Sequence, residues 1–333
     1  MGRDGAAARA ELTVTAVRAR GLAARFGDRV ALEGFDLDVA PGEIVGLLGP
    51  NGAGKTTALR LLATGRRPSS GTLILHGLDP AHDRRRVRRR TGVAGDEAVH
   101  LESLTGWENA IGFAMACGLA RLDAGRRVEA MFETFGLTAE AHRPVAEYSL
   151  GMRRKLLLVE ALVHVPALIV LDEPTGGLDP DARAILAEVL RHRTAAGAAV
   201  VLATHDLPSA TALCDRVLFL RSGRTVLEGR PAELIARLGG ATRYEFSIAA
   251  SRAPEVRVEG VEIALASAAR LVAHSVVNGG AGERGSGGAT SQSALPRLCE
   301  AIQRAGATID AVSVRRPDLG DVFLKATGEE LAR

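Results

Sequence analysis

The chain has 333 residues, enough for about two domains at roughly 150 residues each. With 47% apolar and 24% charged residues the composition is that of a globular protein with a sizeable core, which excludes a mainly disordered chain. Lys plus Arg (42) nearly balances Asp plus Glu (39) and aromatics reach only 3%, so neither a dedicated nucleic-acid binder nor an aromatic platform for single strands is expected. In chain order, residues 1–11 read as a flexible polar tail. From Leu12 the pattern becomes strand-like: Val14 and Ala16, then Phe35, Leu37 and Val39, alternate with polar neighbours. Pro41-Gly42 is a turn, Ile44 to Leu48 has the length of a buried parallel strand, and a Gly-rich loop leads into a helix from Lys55 to about Ala63. Thr72 to His76 reads as a strand, and about 101–162 as a mostly helical insertion. Strand and helix then alternate: Leu168 to Leu171, Asp181 to Arg193, Val200 to Ala203, Leu207 to Cys214. That order predicts a mostly parallel sheet with crossover helices. Arg216 to Leu220 and Arg224 to Glu228 form a hairpin around Ser222-Gly223.

A domain boundary is expected at Gly239-Gly240. Beyond it, strands at Tyr244 to Ile248, Val261 to Leu265, Leu271 to Val277 and Ile309 to Val314, with a helix at Leu298 to Ala305, predict a small α+β domain over 241–333. Six glycines within 279–293 mark a flexible loop inside it. Cys117, Cys214 and Cys299 lie far apart without CxxC spacing, so a reducing compartment and no disulfide framework are expected. The longest uncharged apolar stretch, Ala161 to Leu171, is too short for a bilayer span, and no signal peptide is read at the N-terminus.

Two segments carry chemistry. Gly49-Pro50-Asn51-Gly52-Ala53-Gly54-Lys55-Thr56, followed by Thr57, fits GxxxxGK[ST] between an apolar strand and a helix. Glycines there let backbone N–H groups converge on phosphate oxygens at a helix N-terminus. Lys55 is expected to pair the β- and γ-phosphates of ATP, and the Thr56 hydroxyl to reach Mg²⁺. Leu168 to Glu173 is an apolar strand ending in two carboxylates, Asp172 suited to Mg²⁺ and Glu173 to the attacking water as general base.

With these in place the chain resembles the ATP-binding subunits of ABC transporters over about residues 12–240. Tyr148-Ser149-Leu150-Gly151-Met152 resembles the signature motif, Gly177-Leu178-Asp179 the D-loop, and Thr204-His205-Asp206 the switch histidine segment. Phe26 stands where the family stacks an aromatic ring on adenine. The resemblance implies a P-loop ATPase core with an antiparallel β subdomain and a helical insertion. It also implies a head-to-tail dimer sandwiching two ATP molecules, in which Ser149 and Gly151 reach the γ-phosphate held by the other copy's Lys55 and His205 senses it. The partner is then a separate integral-membrane permease, and the location the cytoplasmic face of the membrane. The tail Arg316-Pro317-Asp318-Leu319-Gly320-Asp321-Val322-Phe323-Leu324 and the segment Leu104-Thr105-Gly106-Trp107-Glu108-Asn109 resemble drug-exporter ATPases of the daunorubicin-resistance type. A generic accessory domain ending in an amphipathic helix is the other reading of the tail. Leu150 replaces a signature glycine, Met152 a glutamine, and Asp96 occupies the Q-loop glutamine position, where it becomes a candidate Mg²⁺ contact. The six arginines of Asp83 to Arg90 read as a solvated helix face or as a contact for anionic headgroups. A non-transport ABC ATPase and a weakly hydrolysing nucleotide-dependent regulator stay open beside the exporter reading.

Overall fold

A computed structural model describes residues 15–95, 100–238, 240–275 and 294–327. The tail 1–11, Asp96 and the Gly-rich segment 279–293 lie outside the described residues. The contacts divide the chain into two compact units, the first ending at Pro231 and the second beginning at Ala232. The division thus falls ahead of the Gly239-Gly240 pair.

In the first unit the elements are β1 (Val17–Phe26), β2 (Arg29–Val39), β3 (Ile44–Leu48), α1 (Lys55–Leu62), β4 (Ser70–Leu75), α2 (Arg84–Arg88) and β5 (Thr91–Ala94). They continue as α3 (Gly106–Ala116), α4 (Arg121–Phe135), α5 (Leu150–Val163), β6 (Leu168–Asp172), α6 (Pro180–Ala195), β7 (Ala199–Ala203), α7 (Leu207–Leu213), β8 (Arg216–Arg221) and β9 (Arg224–Gly229). Helix α8 (Pro231–Leu238) follows and from Ala232 on belongs to the second unit. The main sheet has the order β5-β6-β7-β3-β8-β9. All its pairings are parallel except β8 with β9. Strands β3, β6 and β7 are buried along their whole length, as crossover strands covered on both faces must be. A second, antiparallel sheet has the order β2-β1-β4. Its inward residues Val17, Leu22, Leu32, Phe35 and Leu37 share one core with α1 and with Leu47, Val170 and Val201 of the main sheet. Helices α3, α4 and α5 make up the expected helical insertion.

Strand β5 and helix α8 were not read from the sequence, and the strand-like pattern at Val14 and Ala16 stops short of β1. Strand β5 has four residues, too short for a periodicity, and its Gly92 lies so close to α5 that a Cβ there would stand 1.9 Å from the Ala161 carbonyl oxygen. Within the arginine cluster, α2 buries Val87, and Arg84 and Arg88 both donate to the Thr64 carbonyl beyond α1. Part of the cluster therefore braces the chain rather than facing solvent alone.

The second unit holds β10 (Arg243–Ala249), β11 (Val261–Ala266), β12 (Arg270–Ser275), α9 (Ala294–Arg304), β13 (Thr308–Arg315) and α10 (Leu319–Thr327). Its sheet, β11-β12-β10-β13, is antiparallel throughout. Tyr244, Phe246 and Ile248 alternate inward, and Ala294, Leu298 and Ile302, spaced by four, bury one face of α9 in the same cluster.

Among the described residues, the buried members of the first unit's core cluster run from Ala16 to Leu220. Deleting residues after 240 is therefore expected to leave a folded nucleotide-binding unit. A cooperative thermal transition and retained ATP binding would bear this out; an insoluble product would show that the first unit needs the second.

Candidate functional site

The site gathers at the carboxyl ends of three adjacent strands, β6, β7 and β3. This is where open α/β sheets bind ligands, because the loops leaving parallel strands open outward there. Leu48 feeds the Gly-rich loop, β6 ends in Asp172 and Glu173, and β7 leads to Thr204 and His205.

The loop conformation demands its glycines. Gly49, Gly52 and Gly54 have φ of 147°, 77° and 108°. A Cβ on Gly49 would stand 2.3 Å from the Leu220 carbonyl oxygen, and one on Gly54 2.7 Å from that of Ala31. Backbone bonds from Gly223 to Ala53 (2.9 Å) and from Glu33 to Gly223 (2.9 Å) tie the loop to the β8–β9 turn and to β2. Lys55, 8% exposed, donates through Nζ to the carbonyls of Gly49 (2.6 Å) and Pro50 (3.1 Å). Burial pushes its ammonium down from the ordinary value, opposed by the carboxylates of Glu173 and Asp172. A cleft of about 440 Å³ opens over the loop, lined by Asn51 to Thr57 and by Phe26, Asp172 and Glu173. Phe26, at the end of β1, exposes 43% of its surface, and the Arg66 guanidinium lies 3.8 Å from its ring centroid. Arg29, at the start of β2, also lines the cleft and was missed in the sequence. Its position immediately after the Gly27-Asp28 turn, across from Phe26, was the available signal.

Glu173 is the most constrained member. Its φ is 47°, an unusual value for a non-glycine residue, and its N–H bonds the Ala203 carbonyl at 2.9 Å. One carboxylate oxygen meets His205 Nδ1 at 2.9 Å; the other accepts from the Thr204 hydroxyl at 3.1 Å and the His205 N–H at 3.4 Å. Asp172 beside it is 6% exposed.

The signature segment forms a second cluster. Ser149 caps α5, its hydroxyl accepting from the Met152 N–H at 3.2 Å. A Cβ on Gly151 would meet the Gly177 carbonyl oxygen at 3.3 Å, so this signature glycine abuts the D-loop. Leu150, which takes the place of the other glycine, is 76% exposed. Asp179 caps α6 through the Ala182 N–H (2.7 Å) and meets Lys155 of α5 at 3.2 Å. Arg154, between Arg153 and Lys155, is the other residue missed in the sequence. It is 5% exposed and its guanidinium donates to the backbone carbonyls of Gly95, Asp172 and Glu173.

The Ala182 N–H, and after it Lys155, hold the Asp179 carboxyl below the ordinary range. A depressed carboxylate contributes stability that is present above its unfolded value and lost as pH falls through its folded one. The stability difference between the native protein and Asp179→Asn is thus expected to narrow as pH falls from about 4 through the depressed folded value, below which both carry a neutral side chain. Thermal melts from pH 3 to 7 would read it, and a constant difference would contradict it.

Comparison with known proteins bears on the family of the chain. A family model for ABC transporters matches residues 32–176. The chain is 38% identical over 315 residues to the daunorubicin resistance ATP-binding protein DrrA2 of Streptomyces coeruleorubidus, covering 94% of this chain and 95% of that one. The chain belongs to the ABC transporter ATPase family. A Nod factor export ATP-binding protein I of Burkholderia thailandensis is 41% identical over 211 residues, 63% of this chain and 69% of its own. A solved ATP-binding subunit of an ABC transporter superposes with a TM-score of 0.64 at 31% identity, covering 68% of this chain and 94% of that one. As a member of this ABC family the chain is an ATP-binding, ATP-hydrolysing subunit. The similarity to the daunorubicin-resistance ATP-binding proteins covers most of the chain.

Proposed function

We propose that the chain powers export of drug-like, antibiotic or lipid-like compounds through a separate membrane permease. It would do so by closing on ATP as a head-to-tail dimer and reopening after hydrolysis. The observation that carries the reading is that Lys55, Asp172 and Glu173 line one cleft at adjacent strand ends, with Thr204 and His205 held on the Glu173 carboxylate. Among the described residues no helix is long and apolar enough to cross a membrane, so the pore is assigned to another chain.

Each residue has a role in this reading. Phe26 stacks on adenine, which suits a ring left partly open at the cleft's edge. The N–H groups of Gly49 to Thr57 and the α1 N-terminus cradle the phosphates. Lys55 meets the β- and γ-phosphates. Thr56 and Asp172 both line the cleft and offer hard oxygen donors, a set that fits Mg²⁺ with waters and phosphate completing its shell. Bound there, Mg²⁺ would neutralise charge building on the phosphate oxygens. Glu173 accepts the proton of the water attacking the γ-phosphate in line, and His205, already on that carboxylate, orients both groups. Ser149 and Gly151 complete the other copy's site, with Asp179 beside them. Asp96 places a negative charge at the Q-loop position, where it would be offset by Mg²⁺ or by a cation on the permease.

The test is export itself. A drug-sensitive bacterium expressing the chain together with a multi-span membrane protein, sought in the reading frames next to its own, should retain less of a fluorescent anthracycline or of other compounds in an antibiotic panel. The same cells carrying Glu173→Gln should retain as much as cells lacking both proteins. Unchanged retention across the panel would contradict the exporter reading.

A further inference from the structure

Arg154 spans two parts of the molecule that must act together. It lies on α5, the helix whose N-terminus is Ser149, Leu150 and Gly151. From there Nη1 donates to the Gly95 carbonyl at 2.6 Å, at the end of β5, and Nη2 to the Asp172 carbonyl at 2.6 Å and to that of Glu173. The Glu173 carbonyl also accepts the Gly176 N–H at 3.0 Å, so the turn after β6 is fixed from both sides while Glu173 keeps its φ of 47°. A rigid planar fork can hold two strand ends at once, which a lysine ammonium on a flexible stem cannot. Its burial means that the charge is neutralised only by these oriented carbonyl dipoles and its other contacts. Lys155 adds a second tie from the same helix to Asp179.

We infer that Arg154 is a positioning residue that transmits engagement of the signature segment to the backbone of Glu173, so that the general base is aligned only when α5 has docked on the opposing nucleotide. The inference rests on the sandwich dimer proposed above. A shift of α5 toward a γ-phosphate pulls the Arg154 fork with it, and the fork carries the Asp172–Glu173 peptide. Gly95, at the end of β5, is held by the same guanidinium, so the end of that strand is tied to the same event.

The test uses the full chain with Arg154→Lys, which keeps the charge and loses the fork. The expected result is an unchanged KM for ATP, a kcat lower by roughly tenfold or more, and an ATP-bound dimer that accumulates on size exclusion as it does for Glu173→Gln. A kcat within about twofold of the native value, or a folded variant that binds ATP yet forms no dimer, would overturn the inference. Glu173→Gln run alongside separates the two readings: if it too forms no dimer, the sandwich itself has failed. Should Arg154→Lys not fold, hydrogen exchange on the unmutated chain decides. ATP and Mg²⁺ should slow exchange at residues 149–152 and 174–177 together, and protection of the first segment alone would overturn the inference.

Discussion

Replacing Glu173 by glutamine is expected to leave ATP affinity nearly unchanged and to lower turnover by about 10²–10⁴, the usual contribution of a positioned general base. The amide keeps the size of the side chain and can still accept from Thr204, so the loop should hold its shape. What it loses is the ability to take a proton from water. The contact with His205 Nδ1 at 2.9 Å also loses its carboxylate partner and keeps only an amide oxygen. Phosphate release and equilibrium ATP binding on the same preparation would separate the two effects. A variant that turns over at the native rate would remove Glu173 as the base.

Gly54→Ala is expected to abolish ATP binding. The residue sits at φ 108°, where an L side chain costs about 1–3 kcal/mol of backbone strain. Its new Cβ would also stand 2.7 Å from the Ala31 carbonyl oxygen and 3.3 Å from Leu32 Cδ1. Relief requires moving the N-cap of α1, and with it the N–H groups that face the phosphates and the Lys55 backbone. Gly52→Ala is the contrast: φ is again positive at 77°, but the nearest atom is the mobile Arg29 Nη2 at 3.8 Å. It should therefore weaken binding less. Isothermal titration of both variants checks the order, and a Gly54→Ala protein that binds ATP normally would show that the loop tolerates the shift.

The parts of the site that were readable in the sequence are those whose chemistry is contiguous. Eight consecutive residues fix the phosphate loop because its geometry is local: glycines at positive φ followed by a helix start. The acidic strand end was readable for the same reason, as a run of apolar residues closed by Asp172 and Glu173. The pairing of Glu173 with His205 was not, since it depends on β6 and β7 being neighbours and on the turn of the Glu173 backbone. Arg154 shows the limit most clearly. Arg153, Arg154 and Lys155 are chemically alike in the sequence, yet Arg153 meets Glu102, Lys155 meets Asp179 and only Arg154 is buried. The helical stripe through Leu157, Leu158 and Ala161 pointed to its inward face, but its carbonyl partners come from strands far along the chain. In the fold, long alternating or fully apolar segments were legible, while β5 was missed because four residues carry too little pattern.

The measurement that bears most directly on the central claim is steady-state phosphate release by the purified full chain with ATP and Mg²⁺, for the native protein, Lys55→Ala and Glu173→Gln. Lys55 and Glu173 face one cleft from two different strand ends, so removing either should stop hydrolysis, whereas only Lys55→Ala should also weaken ATP binding. Hydrolysis that persists at the native rate in both variants would contradict the account, because the cleft over the phosphate loop would then not be where the reaction occurs.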